Sequence, residues 1–134
     1  MALDPADRTA ITELLSLHGH LIDSGQLDRL DELFTPDVVY DISDLGQPPL
    51  LGPDAIKGAA LALGAGNPVA HHVTNVVLTE VSADRVHALS KGIGISADGT
   101  VGSATYEDTV VRGEGGWRIA RRKVIARRVP LGGR

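Results

Sequence analysis

The sequence predicts one α+β domain over residues 1–134, with helices gathered in the first half and a curved sheet in the second. Three observations predict it. Ile11, Leu14, Leu15, His18 and Ile22 recur at the three- and four-residue spacing of a buried helical stripe. From Ala70 onward, four apolar runs are separated by the turn clusters Ser82-Ala83-Asp84, Ala97-Asp98-Gly99 and Gly113-Glu114-Gly115-Gly116, whose Asp-Gly and Gly-Gly steps are hairpin signals. Helices and strands are segregated rather than alternating, which argues against a parallel βαβ sheet.

Taken in order, Asp4-Pro5-Ala6-Asp7 reads as a helix start, with a capping carboxylate, a first-turn proline and negative charge at the positive dipole end. Gly25 is placed to end that helix. Leu27, Leu30, Leu33 and Phe34 predict a second short helix, broken by Thr35-Pro36-Asp37. Val38–Ile42 reads as a strand, with Tyr40 and Ile42 on the face opposite Val39 and Asp41. Residues 44–49 read as loop. Gly52-Pro53-Asp54 opens a third helix whose apolar side holds Ala55, Ile56, Ala59, Ala60 and Leu63. Long twisted strands are expected to curl against these helices as a cone, with a cavity between helices and sheet.

Composition narrows the function. Net charge −4 and pI ≈ 5.6 argue against nucleic acid or an anionic membrane as partner. The basic run Arg118, Arg121, Arg122, Lys123, Arg127, Arg128 alternates faces on a strand, predicting a solvated outer face with one or two inward arginines. The absence of cysteine excludes disulfides, thiolate catalysis and cysteine-ligated metal. Neither a secretory leader nor a run of about 18 apolar residues is seen, so a cytoplasmic protein is expected. Aromatic residues make up 3% of the chain, so a pocket would be lined mainly by aliphatic side chains. Gly92-Ile93-Gly94 lies mid-strand with no helix after it, so it is no dinucleotide loop. The 16 glycines read as turns and bulges.

The stretch His71-His72-Val73-Thr74-Asn75-Val76-Val77-Leu78 carries the candidate chemistry. Successive strand residues face opposite ways, so one histidine looks inward, sharing its face with Val73 and Asn75 if it is His71. Their rings diverge, so the pair cannot chelate one ion from a regular strand, and no metal is expected. An inward imidazole is a candidate acid or base; the alternative is a histidine satisfied by the backbone. Asp23 falls beside the apolar stripe of the first helix, as a surface or capping aspartate does.

Several strings bear on this choice: residues 21–41 (Leu21 to Asp41), Leu51-Gly52-Pro53-Asp54-Ala55-Ile56, His71-His72-Val73-Thr74-Asn75-Val76 and Gly116-Trp117-Arg118-Ile119. With the order of elements, they resemble the NTF2-like superfamily, and within it the SnoaL-like and scytalone dehydratase-like proteins. The resemblance implies a cone of three helices on a long, curved antiparallel sheet enclosing a pocket. It pairs an aspartate at the end of the first helix with a histidine opening the first long strand, here Asp23 and His71. It adds Tyr40 and Tyr106 as pocket candidates; His18, on the apolar stripe as either a pocket residue or a plain core histidine, is expected with Ile22, Ile42, Val73 and Ile125 as a substrate contact. Ile22 stands where the dehydratase has tyrosine, and Val124-Ile125-Ala126 is aliphatic where it is polar. The implied function is a cofactor-free acid–base enzyme, a dehydratase, isomerase or cyclase acting on a hydrophobic polycyclic or polyketide-like molecule. The alternatives are a non-catalytic small-molecule binder and an epoxide-opening hydrolase or cyclase. A homodimer is expected through the outer sheet face, at Val76, Leu78, Val86 and Val110 or their neighbours.

Overall fold

A computed structural model describes residues 3–133. Helix α1 (Pro5–Asp23) starts where the Asp4 carboxylate accepts from the Ala6 N–H at 2.7 Å and stops before Gly25, at φ +70°. Leu27–Glu32 forms a 3₁₀ helix rather than an α-helix, so the second expected helix is tighter and shorter than its leucine spacing suggested. Strand β1 (Phe34–Asp41) therefore begins four residues earlier than predicted and runs through Pro36 across a register irregularity. Ile42 lies just past it and precedes a 3₁₀ turn, Ser43–Leu45, inside the expected loop. After the two-residue β2 (Leu50–Leu51) comes α2 (Pro53–Leu63). Of its predicted apolar side only Ile56 is buried, and Leu63 is exposed.

The second half is β3 (Ala70–Ser82), β4 (Arg85–Ile95), β5 (Val101–Gly113) and β6 (Gly116–Ala126). All six strands form one sheet in the order β2-β1-β6-β5-β4-β3. The long strands pair antiparallel, but β1 runs parallel to β6, so the sheet is mixed rather than wholly antiparallel. Among the described residues, no helix is long and apolar enough to cross a membrane.

Two bulges shape the concave face. At Asn75, φ is +57°, a left-handed conformation that asparagine tolerates better than β-branched neighbours would, and the β3–β4 register slips by one. Before it, His71 and Val73 face inward; after it, Val76 and Leu78 do. Asn75 itself is exposed, not on the inward face. Strand β6 slips likewise at Ala120, between the pairs Val110–Ile119 and Thr109–Arg121.

The core fills the narrow end of the cone, where Ile11, Leu15, Phe34, Val86, Val110 and Ile119 are essentially inaccessible. This corrects the expected dimer face. Val86 and Val110 are core residues and Val76 and Leu78 pack against them, whereas the outer face carries Val77, Leu89 and Ile93. At the same end, Asp7 accepts from Arg112 at 2.6 and 3.1 Å and from Trp117 Nε1 at 3.1 Å, tying the front of α1 to the β5–β6 hairpin. Those donors, Arg112 first, hold the Asp7 carboxyl below the usual carboxylate range.

Helix α1 lies close on β3, and Gly19 makes the approach possible. A Cβ there would stand 2.6 Å from the His71 carbonyl oxygen, a backbone atom that cannot swing aside. Alanine in a helix interior is ordinarily favoured over glycine by about 1 kcal/mol. Here overpacking reverses the sign: Gly19→Ala is expected to destabilise the fold by about 1–3 kcal/mol, read as a lowered urea midpoint.

Candidate active site

The wide end of the cone holds a cavity of about 730 Å³. It exists because the inward positions of the strands there are small: Gly92 and Gly94 on β4, Gly102 and Ala104 on β5, Ala126 on β6. These glycines are paired strand residues, not only the turns and bulges expected of them. His71 and Tyr106 stand at the inner boundary of the hollow, and Gly92 makes room for the phenol. A Cβ at Gly92 would meet the Tyr106 ring and hydroxyl at 2.5–2.6 Å.

Asp23, at the last turn of α1, reaches across to the start of β3 with both oxygens. Oδ1 lies 2.6 Å from His71 Nδ1 and Oδ2 accepts the His71 backbone N–H at 2.8 Å. The pair is mostly screened, with side-chain exposures of 25% and 17%. Nδ1 is held by the carboxylate, which leaves Nε2 as the nitrogen available for proton transfer.

Behind these groups lies an aromatic cluster. The His18 ring is 6.0 Å from His71, 6.2 Å from Tyr106, 6.5 Å from Tyr40 and 6.3 Å from Phe34, centre to centre. Burial holds the His18 pKa well below its usual 6.5, helped by the positive Arg122 and by His71, so this imidazole is neutral. Burial, with Tyr40 beside it, pushes the Tyr106 phenol up to about 12. Burial also raises Tyr40, against the pull of Arg122. Both phenols are therefore protonated donors at neutral pH.

Deeper still is a group that sequence reasoning did not single out. Arg122 is the inward arginine of the basic run. Its Nε and Nη2 donate to the two oxygens of Asp108, each at 2.8 Å, with neither side chain exposed. The guanidinium carbon stands 4.3 Å from the centre of the Tyr106 ring. Burial alone would lower the Arg122 pKa; the charge and hydrogen bonds of Asp108 outweigh it and raise it.

The structure thus brings Asp23, His71, His18, Tyr40 and Tyr106 into one neighbourhood, with His72 exposed on the other side of the strand. Of the expected catalytic residues only His71 and Tyr106 line the cavity, with Asp23 and Tyr40 behind them, and none of the expected substrate contacts does, His18 included. Ile22 and Val73 pack against the core. Ile42 sits outside β1. Ile125 pairs with Thr105 on the face opposite Val124 and Tyr106, because strand side chains alternate. A second groove of about 890 Å³, near the β5–β6 turn, is lined by charges that pair locally: Lys57 donates to Asp28, and Arg118 Nε to the Asp31 carbonyl at 3.1 Å. It lacks a histidine or tyrosine, and the titratable cluster lies in the cavity instead.

The model of the SnoaL-like domain matches residues 4–123. The chain belongs to the SnoaL-like family. Among solved structures, this SnoaL-like protein is similar to LinA, at 28% identity over 96% of this chain and 92% of that one, TM-score 0.78. It is also similar to an NTF2-like protein with a cystatin-like fold from Novosphingobium aromaticivorans, at 30% identity over 90% and 82% of the two chains, TM-score 0.75. The hexachlorocyclohexane dehydrochlorinase LinA-type3 from Novosphingobium barchaimii, 24% identical over 96% and 92%, TM-score 0.77, shares the fold. No curated protein matches the sequence.

His18 gives the site an acid signature. An unfolded histidine takes up its proton as pH falls below 6.5, whereas the buried one stays neutral. Stability from His18 is then complete above pH 6.5 and is lost as pH drops below it, with a slope approaching about 1.4 kcal/mol per unit. Urea midpoints at pH 7.5 and at about pH 5, where carboxylates remain ionised, should differ more in the native protein than in His18→Gln.

Proposed function

We propose that this SnoaL-like protein is an acid–base enzyme that removes a proton from carbon in a hydrophobic small molecule, leading to elimination, isomerisation or ring closure. The observation that carries the reading is the double grip of Asp23 on His71, through Nδ1 and the backbone N–H of one residue. A carboxylate on Nδ1 fixes the tautomer, stabilises the imidazolium that forms, and aims Nε2 as base. Tyr106, protonated and beside His71 at the cavity wall, is the donor to an oxygen that gains charge. The cavity, at about 730 Å³, falls within the range that encloses small metabolites; its glycine, alanine and valine lining suits an apolar body, and Ser96, Ser103, Arg127 and Arg128 on the same wall suit polar groups at its edge. The chain's own residues supply these proton transfers. The dehydrochlorinase name of one fold neighbour belongs to the same broad class of elimination chemistry.

A panel of hydrophobic ketones and enones incubated in deuterated water would test the reading whatever product is finally released. Nuclear magnetic resonance should show enzyme-dependent exchange of a carbon-bound proton. Asp23→Asn and His71→Ala should each slow it by about 10²–10⁴-fold while ligand binding persists. Binding without exchange in the native protein would make the molecule a carrier, and variants that merely unfold would make the pair structural.

A further inference from the structure

The arginines of the last strand and its extension fall into two groups. Those within β6 are met by oxygens of the protein: Arg118 Nε by the Asp31 carbonyl, Arg121 Nη2 by Asp41 at 3.2 Å, and Arg122 by both oxygens of Asp108. Past the end of β6 that pattern stops. Arg127 gives Nη1 and Nη2 to the carbonyls of Gly133 and Val129, at 3.4 and 3.2 Å, and pairs with no carboxylate among the described residues. Arg128 is exposed and makes no hydrogen bond or ion pair with another described residue. Asp44, beside the end of β6, places Oδ2 on the Ala126 N–H at 2.8 Å and does not line the hollow.

Both arginines line the cavity, and among the described residues no aspartate or glutamate does. The chain as a whole carries a net charge of −4. Two fixed cations in a concave, poorly solvated mouth focus a positive potential there, against the sign of the whole protein. Their placement matters as much as their sign. Tyr106 pairs with Val124, and the Arg127 N–H still reaches the Ser103 carbonyl at 2.9 Å, so extended chain continues beyond Ala126. Arg128 thus lies four residues past Val124, about 13 Å along the wall. The wall between is small and apolar, Gly102, Ala104 and Ala126, and the facing rim, at the β4–β5 turn, is Ser96 and Thr100.

We infer that the cavity selects an anion: its occupant is an organic carboxylate whose charged end is held at the mouth by Arg128 and whose apolar body reaches in to His71. Arg127 strengthens the field at the same place. This rests on the acid–base reading and names its substrate class. A guanidinium fork with no protein partner matches a carboxylate with two parallel hydrogen bonds. The acid and the carbon that loses its proton then stand at opposite ends of the molecule. That separation keeps the fixed negative charge from opposing the proton transfer, since repulsion falls with distance. Arg128 is a specificity residue and takes no part in the transfer itself.

The test compares 4′-acetylbiphenyl-4-carboxylate with its carboxamide, which match in length and body and differ in charge. By titration calorimetry the native protein should bind the acid roughly tenfold more tightly than the amide, and high salt should shrink the preference. Arg128→Gln should remove most of that preference, Arg128→Glu should reverse it, and Arg128→Lys should keep part of it. No measurable binding of the acid at millimolar concentration, equal native affinities, or a preference indifferent to Arg128 overturns the inference. Deuterium exchange at the acetyl group separates this result from the reading beneath it. An Arg128-dependent preference for the acid without His71-dependent exchange would sink the enzyme reading and leave the anion site standing. His71-dependent exchange with equal kcat/KM on acid and amide would do the reverse.

Discussion

One carboxylate joins the two halves of this chain. Asp23 closes α1 and holds the first inward residue of β3 by both its backbone and its ring. Helix and sheet could pack through Leu14, Leu15 and the strand valines without it, but the mouth would then have no fixed width. Gly19, one turn earlier, lets the helix approach until the contact can form. The grip therefore sets at once where α1 ends, how close it lies and which nitrogen of His71 is left over.

Beyond that contact, the interior is graded from open to closed. Small residues leave a hollow at the mouth; histidine and tyrosine stand at its inner boundary; a neutral ring cluster follows; a fully desolvated ion pair lies behind. Each layer changes the electrostatics of the one before it, since burial and fixed charge act more strongly where water is excluded. The narrow end, by contrast, is ordinary apolar core, and it carries the stability that a polar interior would not provide.

The sequence made the α+β architecture, the first and third helices and the three hairpins legible, because capping residues, heptad-like spacing and Asp-Gly or Gly-Gly turns are local signals. The strand itself marked an inward histidine as the candidate base, but Asp23, and the choice of His71 over His72, were legible only through family resemblance. On the helical wheel Asp23 looks like a surface residue, and nothing within the strand says which histidine faces inward. Bulges caused the misplaced faces: from the Gly113–Gly116 turn, simple counting pairs Asp108 with Arg121, and the extra residue at Ala120 moves Arg122 into that place. The one-residue slip at Asn75 likewise undid the assignment of outer-face residues on β3. The hollow was invisible for a different reason. Glycine in a strand signals weak pairing, and only the register shows that Gly92, Gly94 and Gly102 share one inner wall.

The scarcity of aromatic residues has a last consequence. The chain has one tryptophan and two tyrosines, and they sit at opposite ends of the cone. Trp117 is clamped by Asp7 and Arg112 near the tip, while Tyr106 lines the chamber and Tyr40 stands behind it across the His18 ring. Tryptophan emission and tyrosine ultraviolet absorbance are thus two separate optical channels, one watching the closing of the tip and the other watching whatever enters the mouth.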